Sequence, residues 1–133
     1  MIDFYVLTSP NVQKIFIMLE ECGLQYTFKA VDVWAAANHS PEFEKLNPNK
    51  KIPVIVDHAG PDGKPFTLAQ SGAILLYCAE KSGRFLPNDP ARRAVALQWL
   101  MQTATDVAPV SGAIFQLEMV APGGPGSGQD QVA

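Results

Sequence analysis

The sequence predicts an α/β domain in the order strand, helix, strand, helix, strand, strand, helix, followed by the start of an all-helical region. Three observations carry that prediction. An apolar strand, a helix with one apolar stripe and a second strand follow one another up to Val31, and such a crossover joins parallel neighbours. Ile52–Asp57 and Phe66–Leu68 flank the turn Gly60-Pro61-Asp62-Gly63-Lys64-Pro65, which reads as a hairpin adding an antiparallel edge. Beyond Pro90 the chain is broadly apolar and needs helical partners on more than one side.

Taken in order, Ile2–Leu7 reads as the first strand. Thr8-Ser9-Pro10-Asn11 supplies capping and initiating residues for a helix to Cys22. Ile15, Met18, Leu19 and Cys22 recur on one face, and Gly23 suits a left-handed cap. Tyr26–Val31 alternates as a second strand, and Asp32–Ser40 reads as a loop. Ser40-Pro41-Glu42 opens a short helix that Asn47-Pro48-Asn49 stops after Leu46. After the hairpin, Gln70-Ser71-Gly72 opens a helix over Ala73–Lys81, with Ile74, Leu75, Tyr77 and Cys78 facing the core. The expected organisation is a first domain over 1–83, a linker over 84–90, a helical part over 91–120 and a Gly/Pro/Ser-rich flexible tail over 121–133.

The 133 residues suffice for one domain with a modest core, and 47% hydrophobic with 17% charged residues describes a globular chain. A net charge of −3 gives no reason to expect nucleic acid or an anionic membrane as partner, and no apolar run is long enough to span a bilayer. The start carries no basic, signal-like region. Cys22 and Cys78 form neither a CxxC nor a metal-ligand spacing and read as buried thiols, so the expectation is no metal and a reducing, cytoplasmic setting.

Two features suit a peptide-like ligand. Pro53 opens a strand, and an X–Pro bond takes the cis form at modest cost. In that form Ile52 would offer its N–H and C=O to an extended peptide. Ser71 begins a helix, where a hydroxyl and unpaired N–H groups suit a carboxylate; the plain alternative is an N-cap.

Lys51–Asp57, the hairpin and Gln70–Tyr77 (KIPVIVD, then QSGAILLY) resemble the glutathione transferases in their thioredoxin-like N-terminal domain. TSPNVQKI and LQWL bring the resemblance closest to the bacterial Nu-type branch, associated with disulfide-bond reductase activity, and it extends over roughly residues 1–110. The resemblance implies glutathione as substrate, a homodimer and a second, all-helical domain longer than the residues that remain here. It implies that Ser9, where the branch has Thr, donates to the glutathione sulfur with help from Asn11. Asn38 and Lys51 would meet the glycine carboxylate, Ile52 and Pro53 the peptide backbone, and Gln70 and Ser71 the γ-glutamyl end. Gln70 stands where the Nu-type branch commonly has Glu and other classes have Gln. Tyr5 reads as structural, His39 as a weaker ligand, Lys50 as a solvated charge and His58 as an exposed turn residue.

The expected function is therefore activation of the glutathione thiol for disulfide reduction or conjugation to an electrophile, with the second substrate open. Its rivals are a non-catalytic binding module of the same fold and an inactive fragment.

Overall fold

In a computed structural model, Ile2–Val6 forms β1 and Tyr26–Ala30 forms β2, paired in parallel from Ile2↔Tyr26 to Val6↔Ala30. The structure describes residues 1–120, without the side chains of 119 and 120, so the tail expected over 121–133 lies outside the described residues. Helix α1, Pro10–Cys22, connects the two strands. Ser9 caps it, Pro10 occupies its first turn, and Gly23 ends it at φ 65°. There the N–H groups of Gly23 and Leu24 return to the carbonyls of Glu20 and Leu19, a turn that favours a residue without Cβ.

A 3-10 turn, Ala37–His39, and α2, Pro41–Leu46, follow β2. Strand β3, Val54–Asp57, runs antiparallel to β1, and β4, Phe66–Ala69, antiparallel to β3. Helix α3 spans Ser71–Ser82. The sheet order is β2-β1-β3-β4. This is the thioredoxin-like arrangement expected from the pattern.

Alternation along the strands sorts the core into two layers. Ile2, Phe4 and Ile55 meet Val12, Ile15 and Leu19 of α1 and Ile74 and Cys78 of α3 on one face. Val54 meets Val31 and Phe43 on the other, with Tyr5, Leu46, Ile52 and Ala69 packed around them. The sheet thus lies between α1 with α3 and α2.

The chain divides after Pro87 into two compact units. In the second, Asp89 caps α4, Pro90–Gln102, by accepting from the Arg92 N–H at 2.9 Å. The helix continues through a π-helical stretch, Thr103–Val107, into α5, Ala108–Phe115, and a further π-helical stretch, Gln116–Val120. Pro109 lacks an N–H for a regular ladder, and the wider turns precede it. Val95, Trp99, Val110 and Leu117 are exposed on this unit.

Several expected boundaries move. Strand β3 begins at Val54 rather than Ile52, because Pro53 has no donor for the ladder. Helix α3 begins at Ser71 rather than Ala73, so Gln70, not Ser71, occupies the N-cap position. Residues 32–40 are not wholly loop: Asp32 Oδ1 accepts from the N–H groups of Trp34 and Ala35 at 3.0 Å and starts the turn that leads to Ala37–His39.

Candidate functional site

Strand register gathers the candidate residues at one end of the sheet. Tyr5, Val54 and Ala69 lie side by side across β1, β3 and β4. Ser9 follows the end of β1, Pro53 precedes β3, and Gln70 and Ser71 follow β4, so the three segments leave the sheet at the same end. The N-termini of α1 and α3 stand there, each with the partial positive charge of a helix start.

At α1, Ser9 Oγ accepts from the Val12 N–H at 3.2 Å. A hydroxyl that accepts still carries a hydrogen to donate, so capping the helix and facing a thiolate are compatible. Asn11 is exposed on the first turn of α1. At α3, Gln70 adopts φ 72° and its side chain makes no capping bond. The first intrahelical bond runs from the Ile74 N–H to the Gln70 carbonyl at 3.0 Å. The N–H groups of Ser71, Gly72 and Ala73 therefore have no partner within the helix. Ser71 is half-buried in its first turn.

Between the two helix starts, the Ile52–Pro53 bond is cis and Pro53 is buried. Ile52 is half-buried against both core layers. The loop that delivers it is held by two amides. Asn47, 3% exposed, donates from Nδ2 to the Lys51 carbonyl at 2.6 Å and accepts at Oδ1 from the Asn49 N–H at 3.1 Å. Asn38 donates from Nδ2 to the Lys50 carbonyl at 2.7 Å, and its buried Oδ1 has no partner among the described residues. Lys50 turns at φ 56° and its Nζ lies 3.3 Å from Glu44 Oε2, as suits a surface charge. Lys51 and His39 are exposed.

The register thus brings Ser9, Ile52, Pro53, Gln70 and Ser71 to one end, with Lys51 adjacent in the chain. Asn38 gives an amide N–H to the loop backbone at Lys50. Asn47 was legible in the sequence only as a helix stop; its burial and its grip on Lys51 depend on how α2 docks. His58 is exposed on the turn after β3, as expected, and places Nε2 3.1 Å from Asp3 Oδ2. Two surface grooves of about 560 and 380 Å³ lie elsewhere, and neither is lined by Ser9, Ile52 or Ser71.

At the other end of β3 lies a buried charge cluster. Asp57 is fully buried and accepts from Tyr77 Oη at 2.6 Å, from Lys81 Nζ at 2.8 Å and from the Ala59 N–H at 2.9 Å. Burial acts to raise its carboxyl pKa, yet the bonds from Lys81, Tyr77 and Ala59 outweigh it and hold the carboxyl below its ordinary value. Burial and then Asp57 itself push the Tyr77 phenol up. The cluster ties α3 to β3 and so helps set where the N-terminus of α3 stands.

Residues 8–81 match the family of the glutathione S-transferase N-terminal domain. Among curated proteins, the disulfide-bond oxidoreductase YfcG of Escherichia coli K12 is 44% identical over 123 residues, which cover 92% of this chain and 57% of that protein. Among solved structures, a glutathione transferase from Pseudomonas putida, with one glutathione disulfide bound per subunit, is 45% identical with a TM-score of 0.86, over 90% of this chain and 52% of that one. A glutathione transferase family member from Pseudomonas fluorescens Pf-5, with two glutathione bound, is 41% identical with a TM-score of 0.87, over 90% and 53%. The chain spans little more than half the length of these relatives. The matched region holds β2, β3, β4, α1, α2, all of α3 but its last residue and the candidate residues from Ser9 to Ser71, and the chain belongs to the glutathione S-transferase family.

Proposed function

We propose that this chain binds glutathione at the sheet end marked by Ser9, Ile52–Pro53 and Ser71, and activates its thiol for reduction of a disulfide. One observation carries the reading: two helix N-termini and one half-buried peptide segment face the same end of the sheet. A tripeptide with carboxylates and a thiol needs this set of groups. The amides of α3 and the Ser71 hydroxyl hold the γ-glutamyl carboxylate, with Gln70 beside them. The N–H and C=O of Ile52 pair with the peptide backbone as an added strand would. The Ser9 hydroxyl and the N-terminus of α1 favour the thiolate, with Asn11 on the same turn and Lys51 near the glycine carboxylate.

The thiolate then attacks a disulfide sulfur, forming a mixed disulfide and releasing a thiolate; a second glutathione completes the reduction and leaves as glutathione disulfide. The name of the Escherichia coli relative, and the glutathione disulfide bound to the Pseudomonas putida one, favour this over conjugation to an electrophilic carbon. Two free thiols, Cys22 and Cys78, fit a reducing cytoplasm, and the family suggests a homodimer with an as yet unspecified second substrate.

Calorimetric titration with reduced and oxidised glutathione tests the reading. Saturable binding lost in Ser71→Ala, with disulfide-reductase turnover, is the expected result. Binding without turnover of any disulfide or electrophile would leave a non-catalytic module, and no binding by the folded chain would overturn the proposal.

A further inference from the structure

We infer that the groove of about 560 Å³ beside the edge strand β2 binds a small alkylated ammonium ion, held between aromatic rings and the Glu20 carboxylate. Its lining comes from the end of α1, the turn after it and β2, with Met1, Leu19 and Leu24 as the aliphatic part. Tyr26 and Phe28 stand on the same side of β2, their ring centroids 5.1 Å apart and their planes at 70°. Phe16 of α1 backs both rings, at 6.2 Å from Tyr26 and 6.0 Å from Phe28. Phe28 is 53% exposed, so its ring is open to a ligand. Tyr26 Oη donates to Glu20 Oε1 at 2.5 Å, which fixes the carboxylate beside the Tyr26 ring and leaves Oε2 without a partner among the described residues.

The chain supplies no cation to this corner. No lining residue is Lys, Arg or His, and α1 has no basic residue in its last turn. The Met1 α-amino group makes no ion pair among the described residues. Arg84 reaches the Glu21 carbonyl and lies over the Phe85 ring, and it does not line the groove. Glu20 and Glu21 instead add their charge to the negative end of the helix. Ring faces attract an ammonium ion, and alkyl groups on the nitrogen pack against the rings while the charge faces the carboxylate. The volume suits a small molecule. None of the glutathione candidates lines the groove, so the two sites hold or fail separately.

The test is a nuclear magnetic resonance titration of the full chain with phenyltrimethylammonium, at constant ionic strength, beside its neutral isostere tert-butylbenzene. Expected are saturable shifts of the amides from Gly23 to Phe28, with a millimolar dissociation constant for the cation. The neutral probe should bind about two- to fivefold more weakly. Glu20→Gln keeps an acceptor for Tyr26, and it should weaken the cation by about the same factor while leaving the neutral probe unchanged. If that variant does not fold, the two probes on the native chain decide the matter. Absence of saturable shifts, shifts spread over acidic residues elsewhere, or equal binding of the two probes overturns the proposal. So does a folded Glu20→Gln chain that binds the cation as tightly as the native one.

Discussion

Tyr77 on α3 donates its phenol hydrogen to Asp57 Oδ2 at 2.6 Å, 20 positions back in the chain on β3. Lys81 approaches the same oxygen from one helical turn further on and also donates to the Ala59 carbonyl at 2.7 Å. Helix α3 and the turn at Ala59 are thereby anchored to one buried carboxylate on β3. Removing a partner leaves the others desolvated, so Asp57→Asn is expected to cost ~3–5 kcal/mol. Tyr77→Phe, which removes one bond to a charged acceptor, is expected to cost ~1.5–3 kcal/mol. Urea unfolding at neutral pH measures both.

The same carboxylate sets a pH dependence. Its folded pKa lies below the unfolded value, so the folded state favours the charged form. That stability is fully present above the unfolded pKa of about 4 and is lost as pH falls through the folded value. Unfolding free energy should therefore drop below about pH 4, and the drop should be shallower in Asp57→Asn. An identical acid limb in the two proteins would contradict the assignment.

Ser9 has two separable tasks. As a cap, its loss in Ser9→Ala is expected to cost ~1 kcal/mol of stability. As a donor to a thiolate, its loss should lower turnover with glutathione about ten- to a hundredfold, the worth of one bond to a charged acceptor at ~1.5–3 kcal/mol. Ser9→Asp distinguishes the tasks: aspartate caps the helix but donates nothing and repels a thiolate. It should retain stability and still fail to lower the bound thiol pKa, read from thiolate absorbance against pH.

Asn47 acts on the candidate site through the loop it holds. Asn47→Ala strands the Lys51 carbonyl and the Asn49 N–H and is expected to cost ~1–3 kcal/mol. Asn47→Asp keeps an acceptor for Asn49 but no donor for Lys51. Its second oxygen faces the Lys51 carbonyl oxygen as a buried, unpaired charge, so it should fold less stably than the alanine variant and bind glutathione more weakly than the native chain in calorimetry.

Gly60 sits where the hairpin backbone returns on itself. A Cβ there would lie 2.5 Å from Phe66 Cβ and 2.6 Å from the Lys64 carbonyl oxygen. Backbone cannot give way as a flexible side chain does, so Gly60→Ala is expected to cost ~1–3 kcal/mol. Thermal unfolding is the check, with the exposed Gly63 outside the comparison because its φ of 70° strains any substitution.

The sequence by itself determined the elements, their order and the ends of most helices. Ser9-Pro10 and Ser40-Pro41 start helices, and Gly23 ends one, through bonds that close within a few residues. Alternation was legible along Tyr26–Val31; that Phe4 and Ile55 share one face and Tyr5 and Val54 the other is set by how the helices pack on the sheet. Pro53 and Ser71 were legible as a pair because each lies where backbone groups go unpaired, and Ser9 joined them through the resemblance to the glutathione transferases. The tertiary structure alone decided the rest. Asp57 read as the end of a strand, Asn47 as the end of a helix and the two cysteines as separate core residues. An aspartate, an asparagine or a cysteine suits either solvent or a partner, and the choice falls to whatever the folded chain puts opposite it. Here the docking of α2 buried Asn47, and the docking of α3 brought Tyr77 and Lys81 to Asp57 and the Cys78 carbonyl to Cys22.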